Sequence, residues 1–147
     1  MRNEGSEKVL GVDLGDRNVG LAFGSSGLTM PLTRISSTNR EEILGSILKT
    51  VIDNKINKVI VGLPLLPDGK STPQTLKVRT FVKRLKSKLR VPVETVDEFM
   101  STKEALKKAV DFGASRKGRN ILDSLSAEII VKRYFESQRE KEAGLLK

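Results

Sequence analysis

An α/β fold built on a mixed five-stranded sheet, with helices on both faces, is what this sequence predicts. Three observations carry it. The chain opens with extended apolar runs separated by tight turns, extended and helical stretches then alternate, and acidic residues collect at strand ends rather than strand middles. At 147 residues the chain has the size of one domain, large enough for a real core and too small for two substantial lobes.

Val9-Leu10-Gly11-Val12-Asp13-Leu14-Gly15 is the organising stretch: its Val-Leu-Gly-Val run suits a buried strand and delivers a carboxylate at its C-terminal end. Gly15 and Gly20 bracket a turn, Asp16-Arg17-Asn18-Val19, and Gly20 to Gly24 forms the second arm of a hairpin. Leu28 to Ile35 predicts a third strand, kept at the sheet edge by Pro31, which has no N–H to give to a ladder. Asn39 followed by Glu42 has capping-box spacing, and Ile43, Ile47, Leu48, Val51 and Ile52 mark the apolar stripe of the helix it opens. Lys58 to Gly62 is a fourth, buried strand, left through a loop from Leu63 to Ser71 that holds Pro64, Pro67 and Asp68-Gly69. Thr72 before Pro73 predicts a cap and first helical residue, with Leu76, Phe81, Val82, Leu85 and Leu89 on the apolar side. Val91 to Val96 begins the fifth strand, which ends in Asp97-Glu98. Ser101 with Glu104 opens a short helix through Ala109 or Val110. A flexible basic connector from Gly113 to Arg119 then leads to a last helix that starts at Asn120, turns Leu122, Leu125, Ile129 and Ile130 inward, and frays from Ser137.

Neither Cys nor His occurs. Disulfides, zinc–thiolate sites, thiol nucleophiles, histidine-liganded metals and every His-based triad or general base are thereby excluded. Chemistry must run on carboxylates, lysines, arginines, hydroxyls or a hard metal held by carboxylates. A polar start and the lack of any apolar run of spanning length predict a soluble, cytoplasmic protein with no membrane partner.

Asp13, the pair Asp97-Glu98 and Asp123 are the candidate catalytic acids. The first two lie at ends of central strands; Asp123 falls in the first turn expected of the last helix, whose Ser124, Ser126 and Ala127 are small enough to lie close to a sheet. Gathered carboxylates resist ionisation unless a cation sits among them, and such oxygen ligands suit Mg²⁺ or Mn²⁺, which keep water and meet phosphates. Bound there, such an ion would activate water, a task a chain without His cannot give to an imidazole. Asp13, Glu98 and Asp123 are the expected metal ligands. Adjacent strand residues face opposite sides, so one of Asp97 and Glu98 enters the site; Glu98 has the longer reach, and Asp97 is left to orient a neighbouring group or cap a turn. Plainer roles stay open: Asp13 as the cap of its own turn, and Asp123 as a dipole-complementing acid three residues after Asn120.

With 27 basic and 18 acidic residues the formal net charge is +9, which suits a polyanionic partner and also serves solubility. Clustering says more. From Lys70 to Arg90 the chain holds Lys70, Lys77, Arg79, Lys83, Arg84, Lys86, Lys88 and Arg90 without one Asp or Glu. Arg116, Lys117 and Arg119 precede Asp123, and Arg17 follows Asp13. Arg17, Lys70, Lys77, Arg79, Lys83, Arg84, Arg116, Lys117 and Arg119 are the expected contacts to nucleic-acid phosphates, which bring affinity and salt dependence but little base specificity. Aromatic residues make up only 4%, so no stacking platform for single strands is expected.

The sequence resembles the YqgF/RuvX family of resolvase-like nucleases. The resemblance rests on Gly11-Val12-Asp13-Leu14-Gly15 with Val19-Gly20-Leu21-Ala22, on Val59 to Leu65 followed by Asp68-Gly69, on Val96-Asp97-Glu98 with Ser101 to Ala105, and on Asp123 to Ala127. It implies a ribonuclease H-like fold in a single domain spanning 1–147, with its core at about residues 8–136, and catalytic acids at Asp13, Asp97-Glu98 and Asp123. It also implies work on the 5′ end of precursor 16S ribosomal RNA or on Holliday-junction-like DNA. Two departures stand out: Phe99 follows Asp-Glu where the family commonly has Arg, and Leu66-Pro67 replaces a polar-containing loop.

The expected activity is therefore a divalent-metal-dependent endonuclease acting on structured RNA or branched DNA, in association with the ribosome precursor in the former case. Symmetric junction cutting would call for a homodimer, although no interface stripe is legible. The departure at Phe99 motivates the alternative of a non-catalytic nucleic-acid or ribosome-associated binding factor. The Asp13-Leu14-Gly15 turn with Gly20 also resembles the phosphate-binding opening of actin-like ATPases and sugar kinases, which close nucleotide between two lobes; this chain has length for one.

Overall fold

The computed structural model describes residues 7–99 and 116–145, with side chains described for 7–98 and 125–144. Its elements are β1 (Lys8–Leu14), β2 (Asn18–Ser25), β3 (Leu28–Ser36), α1 (Arg40–Asp53), β4 (Lys58–Leu65), α2 (Pro73–Lys88), β5 (Val93–Phe99) and α3 (Arg116–Leu145). The sheet has the order β3-β2-β1-β4-β5. Its first three strands pair antiparallel through short turns; β4 joins β1, and β5 joins β4, in parallel. Parallel neighbours need crossovers, which α1 and α2 supply. The short helix expected from Ser101 lies outside the described residues.

Alternation divides the sheet into two faces. Leu10, Val12 and Leu14 of β1 and Val59, Val61, Leu63 and Leu65 of β4 bury against α1 and α2. Val9 and Ile60 point the other way and pack with Ile130 and Tyr134 of α3. β4 continues through Leu65, where the sequence suggests that a loop has already begun; every residue from Val59 to Leu65 is buried, and Leu63 and Leu65 pack into the same core as Val59 and Val61.

The β2–β3 hairpin turns on Ser26 and Gly27, with φ of 55° and 80°, the two left-handed residues of a tight turn whose twist matches its strands. Counting hydrogen-bonded pairs from Ser25 and Leu28, the Ala22–Pro31 pair is a non-hydrogen-bonded one, so the Pro31 nitrogen faces outward. The edge thus lacks a donor where another strand would seek one.

Helix ends follow the capping expectation with changes. Asn39 accepts from the N–H groups of Glu41 and Glu42, but the Glu42 carboxylate accepts from the Ser37 hydroxyl, and that hydroxyl takes the Asn39 N–H: the box closes through a third residue. Thr72 caps α2 with Thr75 as its reciprocal partner and Pro73 in the first turn. Two residues assigned to apolar stripes are exposed instead, Ile52 at 72% and Leu76 at 60%. Ile52 lies next to buried Val51 in the last turn of α1, and Leu76 follows buried Thr75, which takes the inward place near the start of α2. Leu89 is buried beyond the end of α2, as its C-cap.

The largest difference concerns α3. It begins at Arg116, not Asn120, so the basic connector is helical from Arg116 on, and it runs to Leu145 through a segment expected to fray from Ser137. Its packed residues are Ala127, Ile130, Val131 and Tyr134, while Leu125 is 37% exposed and Ile129 is partly covered. Small residues let this helix descend onto the sheet, and the inward stripe therefore follows its small and β-branched positions.

At the end of the sheet where β1 and β4 begin, a polar cluster fastens α3. Lys58 donates to the Tyr134 hydroxyl at 2.9 Å and pairs with Glu94 at 2.9 Å and Glu7 at 3.5 Å, and that hydroxyl donates to Glu7 at 2.8 Å. Burial works against the charge of Lys58, but hydrogen bonds to Tyr134 and Glu94 and the field of Glu7 outweigh it, and its pKa rises above the ordinary 10.5. Burial, foremost, raises that of Tyr134 above 10.0. The fold favours the protonated form of both groups, so their stabilisation is complete below the unfolded values near 10 and is lost as pH climbs through the raised ones. Thermal melts should show stability level at neutral pH and falling above about pH 10, with a shallower fall in Lys58→Met/Tyr134→Phe; equal slopes in the two proteins would remove the cluster's role.

Candidate active site

Asp13 and Glu98 are nearly withdrawn from water, at 5% and 3% exposure, near the C-terminal ends of β1 and β5. The two strands are not neighbours: β4 runs between them, so their backbones lie about 10 Å apart. Glu98 spans part of that gap. Its Oε2 sits 3.0 Å from the point where a Cβ on Gly62 would stand, directly over β4. Val61 pairs with Val12, so Gly62 is the β4 residue beside Asp13. A side chain at that position would occupy the space through which the glutamate leans.

Both carboxylates share the face that α3 covers. Gly11 faces Ala127 and Val131, and Asp13, two residues on, points the same way. Asp97 is exposed on the opposite side, its backbone carbonyl accepting a 2.9 Å bond from Arg133 of α3. The alternation argument for Glu98 over Asp97 thus meets a strand that remains extended through both residues.

Ile130 lies over Gly62 and Val131 over Gly11, whereas Tyr134 reaches Lys58 and Glu7, so α3 runs antiparallel to β1 and β4. Going back along the helix therefore leads toward Asp13 and Glu98. Asp123 stands one turn before Ala127, about 6 Å along the axis. Because α3 starts at Arg116, Asp123 belongs to its second turn, and the expected capping role with Asn120 falls away. The Asp123 side chain lies outside those described, as do those of Arg116, Lys117 and Arg119. Among the described residues no three carboxylates gather as a metal set.

The rim of the site is built by the start of α2 and the β1–β2 turn. The Gln74 side chain donates to the Leu14 carbonyl at 3.3 Å, and the Thr75 hydroxyl donates to the Pro64 carbonyl, pinning the first turn of α2 to the ends of β1 and β4. Arg17 and Lys70 are exposed on this edge, with the Lys70 ammonium 3.9 Å from Asp68. Arg84 does not serve here: it pairs with Glu41 of α1. Arg79 and Lys83 lie further along α2, which packs on the face opposite Asp13 and Glu98.

Sequence reading passed over Gly62, Gln74 and Arg133. Gly62 alone left a signal, as a strand glycine marking close approach; the other two act through contacts at sequence separations of 60 and 36. A cavity of about 560 Å³ opens at the other end of the sheet beside Glu7, Lys58 and Tyr134, but those groups are bonded to one another and lie away from the acids. The donors at Asp13 and Glu98 are hard oxygens, a set that fits Mg²⁺ or Mn²⁺.

A family model described as RuvX, Holliday junction resolvase, matches residues 7–137. The chain belongs to the RuvX family. Similar proteins include one from Caldanaerobacter subterraneus subsp. tengcongensis, 34% identical over 137 residues that cover 90% of this chain and 98% of the relative. Another, from Roseiflexus, is 32% identical over 135 residues, covering 90% and 96%. Both carry the name "Putative pre-16S rRNA nuclease". Among solved structures, RuvC of Thermus thermophilus in complex with a Holliday junction substrate aligns with a TM-score of 0.57 at 15% identity, covering 90% of this chain and 96% of RuvC. At that identity the likeness establishes the fold, which is the expected ribonuclease H-like one. As a RuvX member the chain belongs to a nuclease family, and no helix among its described residues is long and apolar enough to cross a membrane.

The glycines of this RuvX chain differ in what surrounds them. A Cβ on Gly11 would meet the Ala127 backbone carbonyl at 2.8 Å, whereas one on Gly62 would meet chiefly the end of the Ile130 side chain. Chemical denaturation should find Gly11→Ala destabilised by about 3 kcal/mol and Gly62→Ala by about 1 kcal/mol. Ile130→Val should recover part of the second loss and none of the first.

Proposed function

We propose that this protein is a cytoplasmic, divalent-metal-dependent endonuclease that hydrolyses phosphodiesters of structured nucleic acid, either in maturation of the 5′ end of precursor 16S rRNA or in cutting branched DNA. The observation that supports it most is the burial of Asp13 and Glu98 on one face of the sheet, with the glutamate leaning over a strand that has no side chain there. Burying two carboxylates on one face does not help a core, whereas it prepares a cation site. The family membership and the relatives' names point the same way.

Asp13, Glu98 and Asp123 would hold Mg²⁺ or Mn²⁺, which supplies Lewis acidity and an activated water when bound. The protein's own contribution is placement. β1 and β5 fix the first two carboxylates on rigid strands, and α3 carries the third position. Arg17, Lys70 and Lys77, with Arg116, Lys117 and Arg119 at the start of α3, attract the phosphate backbone to the acidic centre. Asp97, exposed on the other side of β5 from Glu98, is left to orient neighbouring groups rather than hold the ion. Phosphate contacts of this kind read backbone shape, so substrate choice rests on the geometry of the nucleic acid, and paired symmetric cuts would require two copies of the chain.

Asp13→Asn should lower Mg²⁺-dependent cleavage of precursor ribosomal RNA or a four-way junction at least about a hundredfold while keeping nucleic-acid affinity within a few-fold. Product-end mapping should show 5′ phosphates and 3′ hydroxyls. Wild-type turnover by this variant would rule out the assignment; tight binding without cleavage by the wild-type chain would instead favour a binding factor, which the Phe99 departure also suits. Gly62→Ala/Ile130→Val separates packing from placement. Its melting should approach that of Ile130→Val alone, while Mn²⁺ affinity read by electron paramagnetic resonance should fall about tenfold.

A further inference from the structure

We infer that α2 carries a second docking surface for the nucleic-acid substrate, on the side of the sheet away from the acids, which holds a double-helical arm extending beyond the cut site. This rests on the reading of the protein as a nuclease of structured nucleic acid.

The structure sorts the positive charges of α2 into two flanks. Val78, Phe81, Val82 and Leu85 form its buried stripe. Lys77, Arg84 and Lys88 follow at helical spacing on the flank that faces α1, where Arg84 is neutralised by Glu41. Arg40 of α1 also stands over the Phe81 ring, 5.5 Å from its centroid, so this flank takes part in holding two helices together. Arg79, Lys83 and Lys86 lie on the other flank, four and three residues apart, and Arg90 follows just past the helix end. All four are exposed, and among the described residues none forms an ion pair.

Two plainer explanations account for part of this. Lys86 and Lys88 in the last turn complement the helix dipole. Arg79 and Lys83 sit too far from that end to do so. Solubility would be served as well by mixed signs, yet no acidic residue occurs anywhere on α2. The Arg79-Lys83-Lys86 line covers about 10 Å, within one Debye length, so its charges repel one another unless a polyanion lies across them.

Position decides what that polyanion is. The first turn of α2 is pinned to the site edge through Gln74 and Thr75, and its 16 residues lead about 24 Å away along the opposite face. Lys70 lies in the loop that leads into α2, three residues before its first residue, and is exposed there. A strand engaged at Asp13 and Glu98 can thus pass this edge and keep backbone contact along α2. Short substrates would end before reaching it.

The test is binding of the full chain to a long RNA duplex and to a short one of about one helical turn, without divalent ions, across a salt series. Arg79→Gln/Lys83→Gln/Lys86→Gln should reduce the slope of log affinity against log salt by about two to three for the long duplex and leave the short one unchanged. An equally neutralised control, Lys49→Gln/Lys132→Gln/Lys141→Gln, should keep the wild-type slope, and circular dichroism melts should match for all three proteins. An unchanged slope in the α2 variant, or an equal loss in the control, would overturn the inference. So would a loss of binding to anionic phospholipid vesicles with RNA binding intact. Because no cleavage is read, failure of the nuclease assignment and failure of this surface remain distinguishable.

Discussion

How closely α3 can lie on the sheet is set by three positions without a Cβ, one on each of three adjacent strands. Gly24 of β2, Gly11 of β1 and Gly62 of β4 would each place a Cβ 2.4 Å from a branched side chain of α3. Val131 fills the space above two of them, one methyl over Gly11 and the other over Gly24, and Ile130 fills the third. Both residues are completely buried, and each such aliphatic side chain contributes about 1.5–3 kcal/mol when withdrawn from water. A helix held a side chain's width higher would forfeit that contact and leave voids the core could not close. Gly62 has a second effect, because the space it leaves is shared between Ile130 and the Glu98 carboxylate. Packing of the helix and placement of the acid therefore depend on the same missing atom group.

That coupling explains how a carboxylate two strands away from Asp13 can belong to the same face. Strand spacing would keep β1 and β5 side chains apart if each stood upright. A leaning glutamate shortens the gap; an aspartate at position 98, one methylene shorter, would remain over its own strand. The rim contacts work in the same direction. Gln74 and Thr75 use side-chain donors to occupy the last carbonyl of β1 and the next-to-last of β4, so the ends of these strands are held by α2 rather than left to a loop. Rigid strands and a pinned helix suit a site whose chemistry tolerates little misplacement.

Much of this architecture was legible because it is local. The five strands, the Asn39 and Thr72 caps, the edge placement forced by Pro31 and the acidic strand ends all follow from short-range pattern and turn chemistry. What was not legible depends on contacts between distant segments. Ile52 and Leu76 satisfy a helical period, yet they stand on flanks where no partner covers them. The ends of α3 are hidden in the sequence, because Gly113 to Arg119 has the composition of a linker and the charge beyond Ser137 suggests fraying, yet the chain is helical from Arg116 to Leu145. Arg84 had the same sequence credentials as Lys83, and only the position of Glu41 on α1 separates a structural ion pair from an exposed cation. The lean of Glu98 over Gly62 required knowing that β4 runs between β1 and β5, which no local pattern encodes.

Depth alone does not place a helical acid; the helix must also be held in rotation. Asp123, Ala127, Ile130 and Tyr134 are spaced four, three and four residues apart, and so fall on one stripe of α3. The far end of that stripe is fixed by polar contacts, since the Tyr134 hydroxyl is held between Lys58 and Glu7. Its middle is fixed sterically, by Ala127 against Gly11 and Ile130 against Gly62. Turning the helix by one residue would swing the stripe by about 100° and break both sets of contacts together. The position of Asp123 is thus phased by residues up to eleven places away, and the Lys58–Tyr134 cluster, remote from the acids, helps determine which side of α3 the site-end residue occupies.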